Sequence, residues 1–191
     1  LAYLDTHYYG GIKKYQWVAI PLALHGVVVK KDGSVLEITI GEKENDPVLG
    51  ISDLLIHVAQ NQMEKKASVV VEGEDLNLIV GSKPVEGEES DAVKANILKI
   101  LKDEYQIEED DFVSAELEVV PAGKSRDFGL DRSMILGYGH DDKCCAYPAL
   151  QALLSQDAPE YTAVALFTDK EEIGSVGATG SHSKVFENAV A

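Results

Sequence analysis

The chain has 191 residues, with 17 basic and 33 acidic side chains and a formal charge of −16 at neutral pH. A composition that is 45% hydrophobic and 26% charged is that of an ordinary globular protein, not a disordered, collagen-like or disulfide-scaffold chain. The acidic excess argues against nucleic acids and anionic membranes as partners, since both are bound through Lys and Arg. The length suits one large domain or two small ones. The longest apolar run, Trp17 to Val29, is broken by Pro21, His25 and Gly26, and a membrane-spanning helix needs roughly 20 residues. No charged-then-apolar leader opens the chain, so no secretion signal is expected. Cys144 and Cys145 are sequence neighbours and read as two reduced thiols of a cytoplasmic protein. With no initiator Met and an abrupt end at Asn188-Ala189-Val190-Ala191, the sequence reads as a piece of a longer protein.

Residues 17–81 read mostly as strands. Lys31-Asp32-Gly33-Ser34 separates the apolar run ending at Val29 from the alternating Leu36, Ile38 and Ile40, which predicts a hairpin. Val69-Val70-Val71 and the alternation Leu76, Leu78, Val80 predict two further short strands. Between these strands a helix is expected from about Ser52 to Lys65, with Ile51, Leu54, Leu55, Val58 and Met63 on one stripe. A second helix is expected to open at Ser90 as N-cap and to carry Val93, Ile97, Ile100 and Leu101 along one face.

From Phe112 the pattern turns to α/β. Val113, Ala115, Leu117 and Val119 alternate as a strand, closed by Pro121-Ala122-Gly123. A loop rich in Asp, Arg and Gly leads to Gly137-Tyr138-Gly139-His140-Asp141-Asp142 and then to a helix carrying Ala146, Ala149, Leu150 and Leu153. A buried-type strand, Thr162 to Phe167, precedes Asp169-Lys170-Glu171-Glu172, a glycine-rich turn and a last helix from about Ser181. Strand and helix in alternation predict a parallel or mixed sheet covered by helices, with sites just past the strand C-termini.

Two acidic pairs stand out. Asp141-Asp142 before a helix fits capping, because side-chain oxygens accept orphan amide protons there. Glu171-Glu172, after an apolar strand, fits a cation site: unpaired carboxylate near a core is costly, and one Glu could be a metal ligand while the other is a base. The glycine-rich stretch Gly174 to Ser181 also has the strand–loop–helix setting of a phosphate loop. It lacks the Gly-Lys-Ser/Thr ending, and the carboxylates upstream would repel phosphate, so metal catalysis ranks above it.

The strings Gly129-Leu-Asp-Arg-Ser-Met-Ile-Leu-Gly-Tyr-Gly-His-Asp-Asp-Lys-Cys-Cys-Ala-Tyr147 and Thr168-Asp-Lys-Glu-Glu-Ile-Gly-Ser175 closely resemble the aspartyl aminopeptidase family of di-zinc metallopeptidases. The leading Thr6-His-Tyr-Tyr-Gly-Gly-Ile-Lys-Lys-Tyr-Gln-Trp17 resembles its bacterial branch. The resemblance implies a mixed-sheet α/β catalytic domain, partial here (residues 1–15 and 113–191), interrupted by a β-rich lid or dimerisation domain with two helices (16–112). It implies Asp141 as the carboxylate bridging two zinc ions, Glu172 as a terminal metal ligand, Glu171 as general base, and a cis peptide after Asp141. The family's other ligands, a His-x-Asp motif upstream and an Asp and a His downstream, have no counterpart in the chain, so an incomplete metal shell is expected. Peptide substrates and a homo-oligomer built from dimers are implied as partners.

His57 falls roughly 110° off the predicted apolar stripe and four residues after Asp53, which reads as a solvated histidine. It aligns with the lid histidine that, in related enzymes, reaches the neighbouring subunit's active site and stabilises the oxyanion. His140 and His182 read as structural. The functional expectation is a zinc aminopeptidase removing N-terminal residues from peptides. The rival is a non-catalytic oligomerisation or binding module whose acidic pairs are caps and solvated charge.

Overall fold

The hairpin expected at Asp32-Gly33 forms. Strand β2 (Leu22–Val29) runs antiparallel to β3 (Val35–Ile40), pairing Val29 with Val35 and Leu24 with Ile40. The Lys30 amide donates to the Ser34 carbonyl at 2.8 Å, and Asp32 Oδ1 accepts from the Ser34 amide and hydroxyl. The other neighbour of β2 is β5 (Ala115–Pro121), also antiparallel, giving a three-stranded sheet in the order β3-β2-β5. Side chains alternate across a strand, so Leu24, Val28, Ile38 and Ile40 share one face, where they are buried with Ile107.

The computed structural model describes every residue except Ala178. The chain forms two compact units, Leu1–Tyr8 with Lys13–Lys124, and Tyr9–Ile12 with Ser125–Ala191. β1 (Ala2–Leu4) pairs antiparallel with β4 (Leu78–Gly81), and β5 is held by β2, so both segments belong to the first unit. An alternating pattern marks a strand but carries no record of its ladder partner.

Helix α2 (Ala92–Tyr105) carries the predicted face, with Leu101 and Tyr105 packed against the buried cluster. Its N-cap is Asp91 rather than Ser90, at φ 52 and without a side-chain cap bond. At its other end the Ile107 amide donates to the Leu101 carbonyl at 3.0 Å, which turns Ile107 into the core.

The helix expected over 52–65 shrinks to a 3-10 turn at Ile56–Val58 and the single turn α1 (Gln60–Met63). Of its predicted stripe only Ile51 is buried, while Leu54, Leu55, Val58 and Met63 are exposed. Helices of this length depend on a covered apolar face, and Asp53 Oδ1 instead takes the Leu54 amide and the Gln62 side-chain amide. Val69-Val70-Val71, expected as a strand, is turn and bend.

In the second unit the stretch read as a loop contains a hairpin, β6 (Arg126–Phe128) with β7 (Met134–Leu136). Asp131 Oδ1 closes its turn by accepting from the Ser133 amide and hydroxyl. Helix α3 (His140–Leu154) follows, and α4 (Val185–Val190) begins four residues after the expected Ser181. Thr162–Phe167 pairs with no strand among the described residues, and Val164, Leu166 and Phe167 are exposed. A parallel strand takes its ladder bonds and its cover from neighbouring elements, and the apolar run by itself supplies neither. The α/β class holds, with small sheets and few helices.

One ion pair ties the ends of the main sheet together. The Lys30 ammonium at the end of β2 donates to the Asp111 carboxylate and the Gln106 carbonyl, and Asp111 also accepts the Glu108 amide. Those bonds, the Lys30 one foremost, hold the Asp111 carboxyl below its ordinary value of 3.8. A depressed carboxyl pKa stabilises the fold above the unfolded value and loses that contribution as pH falls through the folded one. Asp111→Asn is therefore expected to lower the melting temperature at pH 7, with the deficit closing as the pH is taken well below 3.8. Equal deficits at both pH values would remove this role.

Candidate active site

Glu171 and Glu172 open a short 3-10 turn, Glu171–Ile173, four residues after Phe167. The turn is clamped by hydrogen bonds. The Lys170 carbonyl accepts from the Ile173 amide at 3.3 Å and the Ser175 amide at 2.8 Å, and the Gly174 amide donates to the Glu171 carbonyl at 2.9 Å. Asp169 is tied to Thr179, whose hydroxyl donates to Asp169 Oδ2 at 3.3 Å. Lys170 and Ser175 take left-handed φ values of 66° and 59°. Such residues cost about 1–3 kcal/mol each and persist where surrounding bonds over-determine them, as here.

Both glutamate side chains are exposed. Within residues 1–191 no core covers them, in contrast to the placement near a core that the sequence suggests. Asp141 is also exposed and stands at the start of α3, with non-helical φ −87° and ψ 111°. The Asp141–Asp142 peptide is cis, as the resemblance implies. Gly139 occupies the N-cap with no side-chain cap bond, so the capping reading of the aspartates has no hydrogen bond behind it. Among the described residues no hydrogen bond or ion pair engages the carboxylates of Asp141, Glu171 or Glu172, which leaves them open to a cation.

A catalytic zinc takes three protein ligands and keeps one position for water or substrate. Asp141 and Glu172 are of the right donor type for part of such a shell. Neither belongs to a grouping of three or more ligands among the described residues. The grouping that does occur is Asp142, Cys144 and Cys145, whose ligand atoms lie within 4.8 Å of one another. Hydrogen bonding to Asp142, and then to Cys144, pushes the Cys145 thiol up to about 11. Without a metal beside it, Cys145 is a thiol at neutral pH.

His57 lies in the first unit, on the turn Ile56–Val58, and is exposed. Asp53, four residues before it, bonds to Leu54 and Gln62 instead. His57 is flanked by exposed Leu55, Ile56 and Val58. The Thr6–Trp17 string also holds Gly10, whose backbone lies against Glu172; in the sequence its only signal is the Gly10-Gly11 doublet, which no motif of the site includes.

Across residues 1–191 the chain matches the family described as aminopeptidase I zinc metalloprotease (M18). The similarity is strong at the level of individual proteins. A probable M18 family aminopeptidase 1 of Clostridium acetobutylicum is 60% identical over 100% of this chain and 41% of that protein. One of Thermotoga maritima is 53% identical over 100% of this chain and 42% of that protein. The crystal structure of the Thermotoga maritima aminopeptidase superposes with a TM-score of 0.89, covering 97% of this chain and 41% of that one. That of aminopeptidase I from Clostridium acetobutylicum gives 0.88, covering 100% and 42%. The chain belongs to the M18 aminopeptidase family. It spans about two-fifths of the length of the curated relatives it matches.

The raised Cys145 pKa has a direct chemical consequence. Asp142→Asn removes its largest cause, so a larger thiolate fraction and faster alkylation by iodoacetamide at neutral pH are expected at Cys145, read by peptide mass analysis. An unchanged rate would mean that Asp142 does not hold the proton there.

Proposed function

We propose that the protein is a zinc-dependent aminopeptidase hydrolysing the N-terminal residue of peptides, with Asp141, Glu172, Glu171 and His57 as this chain's share of the machinery. The match across residues 1–191 supports the reading, together with two glutamates side by side on one clamped, exposed turn. Asp141 bridging two zinc ions and Glu172 as a terminal ligand would hold the metal, which when bound polarises a carbonyl and acidifies water.

Glu171 then accepts a proton from the attacking water as its oxygen bonds to the scissile carbonyl carbon. It returns that proton to the leaving amine as the C–N bond breaks, so the carboxylate is regenerated. The residue next to a ligand on a rigid turn is well placed for this, because base and ligand cannot drift apart. Peptide substrates suit the class, and the charge of −16 speaks against nucleic-acid or membrane partners. No helix among the described residues is long and apolar enough to cross a membrane. We place the protein in the cytoplasm on its paired free thiols.

Residues 16–112 form the lid, in this reading, and the enzyme is an oligomer built from dimers. The support is the exposed group Leu54, Leu55, Ile56, Val58 and Met63 around His57, since apolar patches of this kind mark interaction surfaces. An imidazole carried there can donate to the oxyanion that develops in a neighbouring subunit's site.

In the full-length protein, Glu171→Gln should retain zinc but lose ~10²–10⁴-fold in turnover, because an amide cannot carry the proton. Glu172→Gln should weaken zinc binding first. The reverse pattern would exchange the two roles, and a wild-type protein holding no zinc would favour the non-catalytic binding module. His57→Ala should cost ~10²–10³-fold in turnover with zinc content intact. Mixed assemblies with Glu171→Gln subunits should regain part of the activity, and absence of both effects would leave His57 a surface residue.

A further inference from the structure

The segment Tyr9–Ile12 belongs with the second unit although the residues on both sides of it, up to Tyr8 and from Lys13, belong with the first. Within the second unit it meets the Glu171–Ile173 turn at Gly10. Its φ is +63°, and a Cβ built on it would lie 2.6 Å from the Glu172 carbonyl oxygen, 3.3 Å from the carbonyl carbon and 3.6 Å from the Glu172 Cβ. Real Cβ atoms do not come within 3.0 Å of another heavy atom, and here the obstacle is backbone, which cannot swing aside as a side chain can. Gly11, its neighbour, has normal φ and open space around it.

We propose that Gly10 is a positioning residue for Glu172: its bare backbone packs on the Glu172 peptide and sets the orientation from which that carboxylate reaches zinc. The proposal rests on the reading of Glu172 as a ligand. The Glu171–Ile173 turn is closed from below by the Lys170 carbonyl, and Gly10 closes it on the Glu172 side. Any side chain at position 10 pushes the Glu172 carbonyl outward and tilts the carboxylate. Metal sites tolerate ligand displacements of only about 0.5 Å, and loss of a residue that orients a ligand costs typically ~10–100-fold in metal affinity.

The test is zinc affinity of the full-length protein, measured by chelator competition, with folding followed by the melting temperature of the zinc-free form. Gly10→Ala and Gly10→Asn should both weaken zinc binding ~10–100-fold, while Gly11→Ala leaves it unchanged. Asn adopts left-handed φ readily, so normal affinity in Gly10→Asn would mean that only backbone conformation matters and would overturn the proposal. Should these variants fail to fold, hydrogen exchange on the unmutated protein decides. Adding zinc should slow exchange of the Gly10–Ile12 amides together with those of Lys170–Gly174, and an unaffected 10–12 segment would overturn the positioning role. Glu172→Gln separates the two ideas. If it weakens zinc binding while Gly10→Ala does not, Gly10 is no positioning residue; if it has no effect, the ligand reading falls and the proposal with it.

Discussion

The contact between β2 and β5 at Gly26 governs the architecture of the first unit. Gly26 sits in mid-strand at φ +145°, and a Cβ there would lie 2.0 Å from the Glu116 carbonyl oxygen. Only a residue without a side chain lets the later strand dock in this register. That docking closes an excursion of the chain from Leu22 to Pro121, pairing the first with the last. It also fixes where the chain leaves for the second unit, immediately after β5. The Lys30–Asp111 pair and Ile107 act within this frame, since each links the end of the excursion to the hairpin that began it.

The candidate site follows a different economy. Its carboxylates are exposed and rest on local backbone devices rather than on a core. Left-handed residues bracket the Glu171–Ile173 turn, and Gly139 at φ +76° ends the loop before Asp141. Neither device needs distant packing to fix the backbone, so the turn that carries Glu171 and Glu172 has a defined shape even though the strand before it has no ladder. Orientation of the side chains is another matter. A short turn is rigid in its hydrogen bonds but open on its outer side, where the Gly10 backbone lies.

Chemistry-bearing residues are written locally, and this is why candidates for the site can be read from the sequence. Glu171-Glu172 and Asp141-Asp142 occur in continuous strings whose residue types specify turn, helix start and charge together. The Asp32-Gly33 hairpin and the face of α2 were legible for the same reason: each depends on residues only a few positions apart. The helix expected over 52–65 failed because its periodicity describes a face and not what covers it. With Leu54, Leu55 and Val58 exposed, the hydrophobic term that should stabilise a helix is absent, and Asp53 competes for the backbone.

The sequence by itself therefore determined the α/β class, the acidic charge, the hairpin, the positions of the paired carboxylates and the strings that mark the M18 family. Only the tertiary structure decided that β5 joins β2, that β1 joins β4, that Thr162–Phe167 has no ladder partner among the described residues and that Gly10 meets Glu172. The physical reason is the same in each case. Side-chain pattern reports which backbone conformation a segment prefers, whereas the partner of a strand or the neighbour of a glycine is chosen by steric fit and hydrogen bonding between segments far apart in the chain. A glycine gives no pattern of its own, and its meaning appears only when the atoms that fill the space of its missing Cβ are known.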